Sequence, residues 1–192
     1  MMLPNSPENK VNKQGRSPLK PERPATEYAV LALLTEGASH GYDLSRRFAE
    51  NSELSRVCRL EMAMLYSLLR KLEKEGLIVG REEQVSQLKS RRVVEITGQG
   101  LKEVESWLSQ PVRHAREIRL DFLVKLYFAY RRSPGFALEL LDKQYDYMIS
   151  LLEQLQTQLD SLGGQFEKWV LEFRIEQNKG ILNWLENVRK SY

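Results

Sequence analysis

The chain has 192 residues, a formal net charge of +3, a hydrophobic content of 42% and a single cysteine. That is enough chain for one sizeable core or two small ones, and its apolar content is near the globular norm. It has no apolar run of about 18 residues to cross a membrane, no apolar stretch in the leading MMLPNSPENK to direct export, and no second thiol to pair with Cys58, so a cytoplasmic protein is expected rather than a membrane or disulfide-built one.

Residues 1–24 hold five basic side chains against two acidic ones and almost nothing apolar, which predicts a disordered basic arm. It is either a solubilising tail or an arm that touches nucleic acid. TEYAVLALLTEG (26–37) predicts an apolar helix that starts at Thr26 and stops at Gly37. SHGYDLSRRFAE (39–50) predicts a second helix with Ser39 as its cap and Leu44 and Phe48 inward. MAMLYSLLRKLEKEG predicts a third, with Leu65, Leu68, Leu69 and Leu72 inward, Arg70, Lys71 and Lys74 elsewhere, and Gly76 as its end. LIVGREE and RRVVEIT are short and β-branched, and the polar QVSQLKS between them predicts a two-stranded hairpin with a long, basic, mobile tip. Thr97 is placed to cap a fourth helix, GQGLKEVESWL, with Leu101, Val104 and Leu108 on one face, and Pro111 closes the unit.

The second half is helical. REIRLDFLVKLYFAYRR (116–132) reads as one helix, and Ser133-Pro134 restarts the chain. Leu138, Leu141, Tyr145, Met148, Leu152, Leu155, Leu159 and Leu162 then step alternately by three and four, which is a heptad seam. After Gly163-Gly164, Phe166, Trp169, Phe173, Ile181, Trp184 and Val188 form a stripe on a last helix, so the two long helices should make an antiparallel hairpin.

Three helices followed by a hairpin is the order of a winged helix-turn-helix, in which the third helix enters the major groove and the hairpin lies along the backbone. Its greasy face builds a core and its basic face meets phosphate. The charge distribution agrees: residues 45–74 carry seven basic and four acidic side chains, whereas 133–186 carry four and nine, so a polyanion partner is expected at one end only.

In AVLALLTEGASHGYDL, LYSLLRKLEKEGLI and RRVVEITGQG the chain resembles the PadR family of transcriptional regulators. His40, Gly41, Tyr42, Tyr66, Leu69, Leu72, Gly76, Leu77, Thr97 and Gly100 carry the resemblance over roughly 25–110, and the helical half with Trp184-Leu185 is similar to the longer members that dimerise through it. The chain departs from that pattern at the start of the third helix, where EMAMLY brings Met62 and Met64, and in the wing, which reads QLKSRR. Glu61 would face phosphate unless it caps the helix.

The fold expected is mostly α with a small β-hairpin, a winged helix-turn-helix domain over 25–110 followed by an α-helical, coiled-coil-like dimerisation domain over 111–192. Double-stranded DNA is the expected partner, contacted by Tyr42, Tyr66, Ser67, Arg70 and Lys71 and, from the wing, Lys89, Arg91 and Arg92. Tyr42 and Tyr66 have a plainer alternative as packed aromatics, and Arg70 and Lys71 as an ordinary solvated helix face. The homodimer should form through Leu138, Leu141, Tyr145, Met148, Leu152, Leu155, Leu159 and Trp184. Cys58, flanked by Arg56 and Arg59, is either inert or a thiol activated by cationic neighbours. Trp107, Trp169 and Trp184 either pack or line a pocket for a small aromatic effector. With no phosphate loop, no G-x-S-x-G and no H-E-x-x-H, and with His40 and His114 far from each other and from Cys58, neither catalysis nor a metal or other cofactor is expected. The function implied is a homodimeric transcriptional regulator, a repressor, on a pseudo-palindromic operator. The alternative is a winged-helix dimer that binds proteins and has lost DNA recognition.

Overall fold

The computed structural model describes residues 23–86, 89–161 and 163–192. The expected arm therefore lies outside the described residues except for Arg23 and Pro24, and so does the last seam residue, Leu162. No described helix is long and apolar enough to cross a membrane.

Helix α1 (Ala25–Leu34) is buried on nearly every side, as its Ala/Leu-rich sequence requires, and the rest of the first unit packs around it. Ser39 does not cap the second helix. Ser39 and His40 form a short strand, β1 (Ser39–His40), in register with Val94 and Val93, and α2 (Gly41–Arg47) begins only after it. A 3-10 turn at Leu54–Arg56 leads to α3 (Met62–Lys74). Leu65 and Leu72 are fully buried and Leu69 nearly so, each worth about 1.5–3 kcal/mol on burial, while Leu68 stays half-exposed at the edge of the stripe. The helix stops where expected: Gly76 takes a left-handed φ of 74°, its N–H donates to Glu73 O, and Leu77 N–H reaches back to Leu72 O.

Strands β2 (Ile78–Ser86) and β3 (Lys89–Ile96) pair antiparallel from Ile78↔Ile96 to Ser86↔Lys89, with a register shift between Gln84 and Ser86. Two expectations are corrected here. The sheet has three strands in the order β1-β3-β2, and most of QVSQLKS continues the two strands instead of forming a long tip. Strand pairing wins because each paired residue satisfies backbone groups that a polar loop would leave to water. Thr97 caps α4 (Gly98–Leu108) as expected, its Oγ1 accepting from Gly100 N–H at 3.1 Å. Val104 and Leu108 of that helix are buried, but Leu101 is exposed.

The segment expected as one helix over 116–132 has three parts: a 3-10 turn (Ala115–Glu117), a π turn (Ile118–Phe122) and α5 (Leu123–Arg132). A π turn adds one residue and so rotates the helix beyond it. The rotation lets this stretch serve two cores: Phe122 and Ala129 enter the second, while Val124 and Phe128 enter the first. Ser133 Oγ then accepts from Phe136 N–H, with Pro134 at the first position of α6 (Pro134–Asp160), which runs antiparallel to α7 (Gln165–Lys190).

The heptad seam splits by alternation. Leu141, Met148 and Leu155 are buried within the chain, while Leu138, Tyr145, Leu152 and Leu159 are half-buried. Helix α7 presents Leu171, Ile175, Leu182 and Leu185 inward. The first half of its aromatic stripe points away from the chain: Phe166, Trp169 and Phe173 are 72%, 59% and 66% exposed.

Candidate nucleic-acid interface

On α3 the residues opposite the buried leucines are Ser67, Arg70 and Lys74, all exposed, and the helical period puts them on one side. Tyr66 flanks that side and rests on the start of α2. A Cβ added to Gly41 would come within 2.8 Å of the Tyr66 ring, so only glycine leaves the ring this seat. Tyr42, on the first turn of α2, is 60% exposed. With Arg70, Glu73, Arg91 and Arg92 the two tyrosines border a groove of about 840 Å³ whose base includes Leu69 and Val94. The fold thus gathers Tyr42, Tyr66, Arg70, Arg91 and Arg92 from three separate stretches.

One of the expected DNA contacts lies away from the groove and another is paired within it. Lys71 points toward α1, where its Nζ donates to Glu27 Oε1 at 2.7 Å and sits 3.9 Å from Glu75. Only the backbone of Lys89 is described. Arg92 lies in the groove, but its guanidinium is held by Glu73. Arg70, Lys74 and Arg91 make no hydrogen bond or ion pair among the described residues. The groove is not uniformly basic, since Asp43 and Glu73 also line it, and Glu82 and Glu83 stand in register with Arg92 and Arg91 across the wing. Glu61 occupies the cap position of α3 without a side-chain cap bond, and Met62 and Met64 are both exposed on its first turn.

Sequence reasoning missed a charge cluster behind this face. Arg23 pairs with Glu27, Glu75 and Glu103, and Glu27, almost wholly buried, also takes Lys71. The cluster fastens the start of α1 to the end of α3 and to α4. The Glu27/Lys71 pair, separated by 44 residues, has no signature in local spacing.

Cys58 is buried, which favours the inert alternative. Burial pushes the thiol up to about 11, away from the reactive thiolate, and the nearby Arg59 pairs with Glu50 instead. Of the three tryptophans, Trp107 borders a cavity. It stacks on Tyr28 with ring centroids 4.5 Å apart, carries Lys125 Nζ at 5.2 Å over its ring, and lines about 380 Å³ of space between α1, α4, the linker and α5. Trp169 faces outward, and Trp184 packs edge-on against Phe122.

Three helices, a wing, and unpaired cations on both the third helix and the wing define a winged helix-turn-helix protein of the DNA-binding class. Residues 30–106 match the model of the PadR-like family of transcriptional regulators, and residues 118–192 match that of the virulence activator alpha C-terminal domain. The chain is 27% identical over 180 residues to the negative transcriptional regulator PadR of Bacillus subtilis (strain 168), spanning 84% of this chain and 94% of that one. Among solved structures it is similar to Bacillus subtilis PadR in complex with operator DNA (25% identity, 86% of this chain and 97% of that one, TM-score 0.44). It is also similar to the same protein in complex with p-coumaric acid (26%, 91% and 97%, TM-score 0.38). Residues 30–106 thus resemble the PadR-like domain of transcriptional regulators, within a chain similar to PadR of Bacillus subtilis along most of its length.

Proposed function

We propose that this chain is a PadR-like transcriptional regulator, a repressor that binds a pseudo-palindromic operator as a homodimer, through winged-helix units over 25–110 joined by dimerisation units over 111–192. The observation that carries the DNA reading is a pair of guanidinium groups without a partner among the described residues, Arg70 on α3 and Arg91 on the wing, facing one groove. Arg70 stands on a rigid element seated by Leu65, Leu69 and Leu72, so it can read a base edge; Arg91 stands on a strand, where a phosphate is the better match. A two-fold dimer would set two third helices about one DNA turn apart, roughly 10 base pairs. Repression is supported by the negative regulator of Bacillus subtilis, similar along most of this chain. The cavity beside Trp107 would take a small planar aromatic effector, which can pack beside the indole while Lys102 meets an acidic group.

The test is titration of duplexes recovered by the protein from a random pool, and of scrambled duplexes. Arg70→Ala should cost about 1–3 kcal/mol on the selected site and much less on scrambled DNA. Equal losses on both would remove α3 as the reader. A second reading, a dimer that binds proteins instead of DNA, is favoured by exposed Met62 and Met64 where base contacts are expected. It gains if no duplex survives selection.

A further inference from the structure

Arg92 and Glu73 are the one cation and one anion of the DNA-facing groove that the structure joins, and the joint involves three elements. Glu73 lies in the last turn of α3, Arg92 on β3 and Gly80 on β2. Arg92 Nη2 donates to Glu73 Oε1 at 2.6 Å, and the same oxygen accepts the Gly80 N–H at 3.0 Å. β2 is an edge strand, so this N–H has no neighbouring strand to donate to, and Glu73 supplies the acceptor. Space at the joint is specific to glycine: a Cβ on residue 80 would lie 2.7 Å from both Arg92 Nη2 and Glu73 Oε1. On its other side Arg92 is held by its backbone, whose carbonyl is 3.3 Å from His40 Nδ1, next to the His40↔Val93 pairing.

We propose that Glu73 and Arg92 form a latch that sets the angle of the wing against the third helix, so that both are positioning residues and Arg91 alone of the two adjacent arginines meets phosphate. This rests on the DNA-binding reading above. An exposed ion pair by itself contributes little. Here the carboxylate also satisfies a backbone donor, and a change of wing angle would move Arg91, next to Arg92 on β3, against the DNA. The latch makes an unusual prediction of sign. A carboxylate beside a polyanion repels it, so its removal should tighten binding unless the group holds something in place.

The experiment uses the full chain and four variants: Glu73→Ala, Arg92→Ala, the double variant, and Arg91→Ala. Alanine in the last turn of α3 is a strong helix former and removes a negative charge from the negative end of the helix, so the fold should stand. Binding to the selected duplex should fall roughly threefold to tenfold in Glu73→Ala and in Arg92→Ala, and no further in the double variant. Arg91→Ala should flatten the dependence of log K on log salt by about one unit, and Arg92→Ala should leave it unchanged. Exchange of the Gly80 amide should speed up in Glu73→Ala, a readout that needs no DNA. Tighter binding by Glu73→Ala, an additive double variant, or a salt slope reduced as much by Arg92→Ala as by Arg91→Ala would overturn the latch. If the wild-type chain selects no duplex, the DNA reading falls, and amide exchange at Gly80 still decides whether the joint exists.

Discussion

Single side chains in this molecule are decided by what surrounds them more than by what they are. Arg70, Lys71 and Arg92 are all cations near the third helix, yet of these three only Arg70 has no partner among the described residues. Cys58 sits between two arginines in sequence and is governed by burial in space. Trp107 makes the corresponding case for an aromatic. Its neighbours Tyr28 and Lys125 come from 79 residues before it and 18 after it, and the cavity they border is the one proposed for an effector. An aromatic carboxylic acid, with p-coumaric acid as the probe, should quench the fluorescence of the wild-type chain. In Trp107→Phe the quenching should largely disappear, although Trp169 and Trp184 remain. Undiminished quenching in that variant would move the site elsewhere.

At the scale of elements, the α6/α7 hairpin has a dry side and an unfinished side. Leu141, Met148 and Leu155 meet α7, and Leu→Ala at the buried Leu155 should cost about 2–5 kcal/mol of stability. Phe166, Trp169, Val170 and Phe173 leave α7 in the other direction and stay exposed. Such a patch beside a heptad seam is what an isologous contact with a second copy needs. Trp169→Asp with Phe173→Asp should leave thermal stability of the monomer nearly unchanged, because neither side chain is buried. In sedimentation at micromolar concentration the wild type should run as a dimer and the double variant as a monomer. A wild type that sediments as a monomer would remove the dimer and, with it, the paired half-sites.

At the scale of the molecule, polar contacts brace the linker and tie the first unit to α5. Gln144, wholly buried on α6, takes both backbone groups of Val112, accepting its N–H at 2.8 Å and donating to its carbonyl at 3.0 Å. Lys125 Nζ donates to Gln110 O, and Arg132 pairs with Glu105. Glu36, just past α1, receives Arg47 from the end of α2 and Arg131 from the end of α5. A ligand in the cavity beside this strap could therefore turn one unit against the other. Burial pushes the Glu36 carboxyl up, but hydrogen bonds from Arg47 and Arg131 outweigh it and hold the group below the usual carboxylate range. Its stabilisation is thus complete above that range and is lost as pH falls through the depressed value. The melting temperature of the wild type should exceed that of Glu36→Gln at neutral pH, and the gap should close as the pH is lowered through the carboxylate range. A gap independent of pH would mean that the charge of Glu36 contributes nothing.

Local spacing along the chain encodes the stops, starts and order of the elements. The stop of α3 at Gly76 comes from one residue's access to a left-handed φ, the cap at Thr97 from a hydroxyl three residues before a free N–H, and the restart at Ser133-Pro134 from a fixed ring. The order of helices and strands, and with it the winged-helix class, is legible for the same reason. Three features are absent from any such spacing and arise only in the folded chain: the third strand at Ser39–His40, the π turn that lets one segment serve two cores, and the choice of which cations stay unpaired. The strand and the pairings depend on partners brought from far along the chain: Val94 to Ser39, Glu27 to Lys71, Glu73 to Arg92. Hydrophobic periodicity specifies which side of an element is buried, but not which charged residue of another element arrives on the side left open.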